Sequence, residues 1–161
     1  MTMKNTLSIL LTSFIIGGSL PISAGHSKQE NLDKNVVVFK TPWCGCCQVW
    51  VDALKKAGYR LETNDLNDLR SIKQQGNVPK SLEACHTAVI GNDNKYILEG
   101  HVPVEAIELL LKTQPDIRGI ATPGMPMGSL GMGFDPAARY IVYAYTEENS
   151  KPTIFYEAGT Q

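Results

Sequence analysis

Residues 35–39, NVVVF, form a short β-branched apolar run, and the chain changes period directly after it. In CCQVWVDALKKAGY, Cys46, Cys47, Trp50, Ala53, Leu54 and Ala57 recur at three- and four-residue spacing before Gly58. An unbroken β-branched run suits a buried strand, whereas the longer repeat keeps one face of a helix apolar, so a strand leading into an amphipathic helix is expected. RLETN, residues 60–64, predicts a second strand. DLNDLRSIKQQGNVP, with Leu66, Leu69 and Ile72 ahead of Gly76 and Pro79, predicts a shorter helix. HTAVI and KYILEGH flank the turn-rich GNDN and predict a β-hairpin. Pro103 opens a further helix at a position where a missing N–H costs nothing, and Val104, Ile107, Leu110 and Leu111 share its apolar face. RYIVYAY and PTIFYEA, around TEENSK, predict a second hairpin with alternating aromatics.

The first residues obey a different pattern. Lys4 precedes an apolar stretch from Leu7 to Ile16, then GGSLP breaks it and Ala24 offers a small residue for cleavage. This predicts a secretory signal peptide over 1–24, since the run ends short of the roughly 20 residues a spanning helix needs. A flexible segment over 25–33 follows in this reading, with His26 inside it near the new N-terminus, where an amine and an imidazole bind Cu(II) weakly. The expected location is the periplasm or another exported space, with no membrane contact after cleavage. What remains is one domain's worth of chain, able to bury a core without disulfide staples. With a formal net charge of −1 and scattered basic residues, the chain shows no electrostatic footprint for nucleic acid or anionic membrane.

The four cysteines therefore need not be structural. Cys46 and Cys47 are adjacent, with Cα atoms about 3.8 Å apart, closer than a disulfide favours. Cys44 and Cys47 are the comfortable pair, which leaves Cys46 and the distant Cys85 as thiols. A cluster that cannot pair off suggests metal. At a helix N-terminus, unpaired N–H groups and the helix dipole stabilise thiolates, and soft thiolates select Cu(I), Zn(II) or iron–sulfur clusters.

Strand, helix, strand, helix, strand, strand, helix, with Cys-x-x-Cys where the first strand meets the first helix, resembles the thioredoxin and glutaredoxin fold over about residues 34–114. The expected fold is α/β and thioredoxin-like, with a central mixed four-stranded sheet. Residues 115–161 extend it with a loop rich in Met, Gly and Pro and a β-hairpin packed on the core. WCGCC places Cys46 where that family has proline, and EACHTAVI lacks the proline usual before the third strand. Cys85 is thereby expected across from Cys44 and Cys47.

Met125, Met127 and Met132 lie in TPGMPMGSLGMG, a segment without helical or strand period. Thioethers suit Cu(I) and suit zinc poorly, so these residues point to copper contact or to a cap over the cysteines; the alternative is gap-filling in a core. Taken together, WCGCC, ACHTAVI, EGHVP and PGMPMGSLGM resemble the CopG-like family of exported thioredoxin-fold copper-resistance proteins. That resemblance implies copper held by Cys44, Cys46, Cys47 and Cys85, with interconversion of Cu(I) and Cu(II). More than one Cu(I) per chain is expected, because thiolates bridge metals. Cys44 and Cys47 are also a candidate redox pair. His86 is a further candidate ligand, although consecutive strand residues point to opposite faces; His101, just before Pro103, reads as a helix-entry residue. Expected partners are copper ions and other exported copper-handling proteins. The rival readings are a thioredoxin-type thiol–disulfide oxidoreductase, with Cys44 attacking and Cys47 resolving, and a structural zinc module.

Overall fold

The computed structural model describes residues 33–92, 94–147 and 151–159. The expected signal peptide, His26 and all but the last residue of the 25–33 segment lie outside them. Strand β1 spans Asn35–Lys40, helix α1 Gly45–Lys56, β2 Arg60–Asp65 and helix α2 Arg70–Gln75. They are followed by β3 at Thr87–Ile90, β4 at Tyr96–Gly100, helix α3 at Val104–Thr113, β5 at Gly119–Thr122, β6 at Tyr140–Tyr145 and β7 at Thr153–Ala158. All seven strands join one mixed sheet in the order β2-β1-β3-β4-β5-β6-β7. Among the described residues no helix is long and apolar enough to cross a membrane.

The four strands expected over 34–114 appear, with β1 parallel to β2 and β3–β4 an antiparallel hairpin. The expected four-stranded sheet is nevertheless too small. Strand β5 lies parallel to β4 and antiparallel to β6, so it joins the C-terminal hairpin to the same sheet. Its sequence, GIAT, is short and all four residues are buried, which leaves no alternation to read. Gly119 belongs there for a steric reason: a Cβ would lie 2.4 Å from the Ile97 carbonyl oxygen.

Helix α2 is shorter than its apolar spacing predicts. Asp68 Oδ1 accepts the Arg70 N–H at 2.9 Å and starts the helix late, leaving Leu66 in the connection. Asn77, at φ 52°, follows its end.

One sheet face carries Val36, Val38, Ala88, Ile90, Leu98, Ile120 and Val142 and meets Trp50, Val51 and Leu54 of α1 and Ala106, Ile107 and Leu110 of α3. The other carries Ile97, Ala121 and Tyr145 against Val78 and Leu82. A charge is buried too. Lys73 of α2 pairs with the fully buried Glu99 of β4. Lys73→Met is expected to cost about 3–5 kcal/mol, because it takes the only paired cation from a buried carboxyl group and leaves it two neutral donors. Urea denaturation would show this as a large drop in midpoint; an unchanged midpoint would mean the pair is dispensable.

Candidate metal centre

Register brings the chemistry together. Phe39 of β1 pairs with Thr87, Thr87 with Glu99, and Gly100 with Thr122. The chain leaving β1, the chain entering β3, the chain leaving β4 and the chain leaving β5 therefore all lie at one end of the sheet. These four connections carry Cys44, then Cys85 and His86, then His101, then the methionine loop. Extending the β3–β4 register by two residues sets Cys85 opposite His101.

Helix α1 begins at this end. Cys44 is its N-cap residue, without a side-chain cap, and the first turn holds no acid. The positive end of the helix thus faces the cysteines, and it favours the thiolate form of any that is free. Cys44 and Cys47 form a disulfide, with Cα atoms 5.3 Å apart, while Cys46 and Cys85 are free. Cys46 Sγ sits 3.5 Å from Cys44 Sγ.

Around Cys85 the partners are imidazoles. Its Sγ is 3.0 Å from His101 Nε2 and 3.5 Å from His86 Nδ1. His101 Nδ1 lies 2.6 Å from the Leu130 carbonyl oxygen, which can only accept, so Nδ1 carries the proton and Nε2 a lone pair. The Cys85 S–H therefore donates to Nε2. Trp50 packs its ring 4.4 Å from that of His86 and anchors its own N–H on the Val102 carbonyl at 2.9 Å. Burial lowers the pKa of both histidines, His86 strongly, so each ring is neutral and able to ligate near neutral pH. Burial pushes the Cys85 thiol up to about 12, and the neighbouring Cys46 adds to the shift.

Two groups of four candidate donors result. The sulfurs of Cys44, Cys46, Cys47 and Cys85 lie within 4.8 Å of one another, as do the donor atoms of Cys47, Cys85, His86 and His101. Cys47 and Cys85 belong to both. The strand-alternation objection to His86 does not apply, because Cys85 and His86 precede β3 and the chain bends at Cys85. The sequence reading missed His101. Pro103 serves as the N-cap of α3, and the His101 side chain faces Cys85 instead. The β3–β4 register held the signal.

The methionine loop touches this centre through its backbone. Leu130 holds His101, and a Cβ on Gly131 would lie 2.7 Å from the Cys46 carbonyl oxygen and 2.8 Å from His101 Nδ1. Met125 and Met127 are 53% and 77% exposed, and Met132 is partly buried. Gly131 has φ 94°. Gly131→Ala is expected to lose about 1–2 kcal/mol from backbone strain alone and to displace the His101 ring. Thermal denaturation and the imidazole NMR signals would check it; unchanged His101 signals would mean that the loop does not hold the ring.

The family model described as "Protein of unknown function, DUF411" matches residues 82–132, the stretch from just before Cys85 to Met132. No curated protein matches the chain. Two solved structures do. "Copper resistance protein copG- Form 1" is 32% identical, with a TM-score of 0.69 over 78% of this chain and 97% of that one. "Copper resistance protein copG- Form 2" is 33% identical, with a TM-score of 0.67 over 76% of this chain and 96% of that one. A likeness of this identity, spanning nearly the whole of the solved chains, shows that this chain belongs to the CopG-like family of copper-resistance proteins.

Proposed function

We propose that this protein is an exported, periplasmic copper-handling protein that holds Cu(I) on its cysteine thiolates and serves copper resistance. The observation that carries the reading is the pair of donor groups sharing Cys47 and Cys85. One offers four sulfurs and the other two sulfurs and two neutral imidazoles. Soft sulfur suits Cu(I), and imidazole accepts copper in either oxidation state. Shared thiolates allow several ions to be bridged in one chain. In this reading β2-β1-β3-β4 with α1 is a thioredoxin-like unit at 34–114, and residues 115–161 complete the site. Other exported copper-handling proteins deliver or receive the metal.

The disulfide adds redox chemistry to the reading. In closing it, the thiols of Cys44 and Cys47 release two electrons and two protons, enough to reduce two Cu(II) to two Cu(I). Mixing the reduced protein with Cu(II) without oxygen is expected to bleach the Cu(II) paramagnetic signal by one ion for each thiol lost. Loss of signal without loss of thiols would remove this coupling.

Cu(I) titration of the reduced protein against a competing chelator, with native mass spectrometry, tests the main reading. Tight binding of more than one ion is expected. Preferential retention of zinc would favour the structural zinc site instead. Disulfide exchange on proteins is the reading favoured by the Cys44–Cys47 bridge at a helix N-terminus; rapid reduction of a protein disulfide, indifferent to Cys46→Ser, would support it.

A further inference from the structure

On the sheet face opposite α1 and α3, at the end where the cysteines gather, Lys73, Thr87 and Glu99 form a buried polar cluster. Thr87 and Glu99 face each other across β3 and β4. Glu99 receives three donors: the Lys73 ammonium and the Ala84 N–H on Oε1, the latter at 2.7 Å, and the Thr87 hydroxyl on Oε2 at 2.6 Å. Lys73 also donates to Thr87 Oγ1 at 3.2 Å. A carboxylate with only donors around it is a fixed acceptor, and burial removes the water that would compete.

The Ala84 bond singles this cluster out. Ala84 is the residue before Cys85 and lies outside the sheet ladder, where no strand partner supplies an acceptor for its N–H. On the other side of Cys85, the His86 carbonyl accepts the Gly100 N–H at 2.9 Å. Gly100 also lets the two segments close up, since a Cβ there would lie 2.6 Å from Ala84 Cβ. Cys85 is thus held from both flanks, and one of the two clamps is a side chain. We propose that Glu99, oriented by Lys73 and Thr87, is the positioning residue of the metal centre: by accepting the Ala84 N–H it sets the Cys85 thiol against Cys46.

The inference takes its ligand set from the copper reading, but its test does not need copper. In a Cys44→Ser/Cys47→Ser background only Cys46 and Cys85 remain as thiols, and mild oxidation with diamide reports their approach by the rate of disulfide formation. Lys73→Met/Glu99→Leu removes the acceptor without stranding a charge; Lys73→Met/Glu99→Gln keeps one carbonyl for the Ala84 N–H. The Leu variant is expected to cross-link about tenfold more slowly as Cys85 moves away from Cys46, whose sulfur now lies within 4.8 Å of its own, and the Gln variant to recover most of the rate. In the otherwise native protein the Leu variant is expected to lose about 10- to 100-fold in Cu(I) affinity, the usual effect of removing a partner that orients a ligand. A folded Leu variant that cross-links at the native rate overturns the proposal. So does rapid hydrogen exchange of the Ala84 amide in the unaltered protein, a measurement that requires no variant to fold. If the unaltered protein binds no Cu(I), the copper reading falls, and the cross-linking and exchange results still decide the role of Glu99.

Discussion

Cys85→Ser is expected to empty both donor groups of Cu(I), whereas Cys46→Ser or His101→Ala should weaken only one. The asymmetry comes from sharing, because Cys85 contributes its sulfur to the four-cysteine group and to the Cys47–Cys85–His86–His101 group. A serine hydroxyl replaces a soft donor with a hard one and leaves the His101 lone pair without its thiol partner. The loss should be at least about a hundredfold, since even partners that merely orient a ligand cost 10- to 100-fold when removed. Native mass spectrometry would show Cys85→Ser losing all ions and the other two variants keeping some. Equal losses in all three would mean one undivided cluster.

The same residue sets a pH dependence. With its pKa pushed up to about 12, Cys85 is a neutral thiol throughout the physiological range and must shed a proton to take metal. Metal competes with that proton, so binding tightens as pH rises. Cu(I) affinity between pH 6 and 8 is expected to gain about tenfold per pH unit from Cys85 alone, on top of any other protons displaced. Cys85→Ser should remove that increment. A slope identical in the variant would show that Cys85 is not a ligand.

Oxidation is the second large effect. With Cys44 and Cys47 in a disulfide, the two donor groups keep Cys46, Cys85, His86 and His101 as their free donors. Reduced protein is therefore expected to bind Cu(I) at least about a hundredfold more tightly than the disulfide form. By linkage, Cu(I) must then stabilise the dithiol and move the reduction potential of the pair upward, by about 60 mV for a hundredfold ratio at two electrons. Redox titration with and without saturating Cu(I) would measure this. A potential unmoved by copper would mean that Cys44 and Cys47 are not copper ligands.

Much of the frame was legible from local pattern. The run at 35–39, the three- and four-residue spacing through Trp50 and Leu54, and both hairpins became β1, α1, β3–β4 and β6–β7, because each signal lies within a few consecutive residues. The cysteine spacing likewise indicated the Cys44–Cys47 bridge, since Cα separation across three residues of a helix start is a local quantity. Strand β5 escaped because four fully buried residues show no period, and α2 was overextended because a single Asp68 hydrogen bond decides where it starts.

The amino-acid sequence by itself determined which thiols could pair, where the first helix would present them, and that soft-metal chemistry suits the cysteine and methionine segments. Only the tertiary structure decided that His101 stands against Cys85, that the methionine loop meets the site through Leu130 and Gly131, and that Lys73 and Glu99 lie buried beside it. Those contacts join residues 16 or more positions apart. They depend on strand register and on which loops leave the sheet at the same end, quantities that no local period encodes.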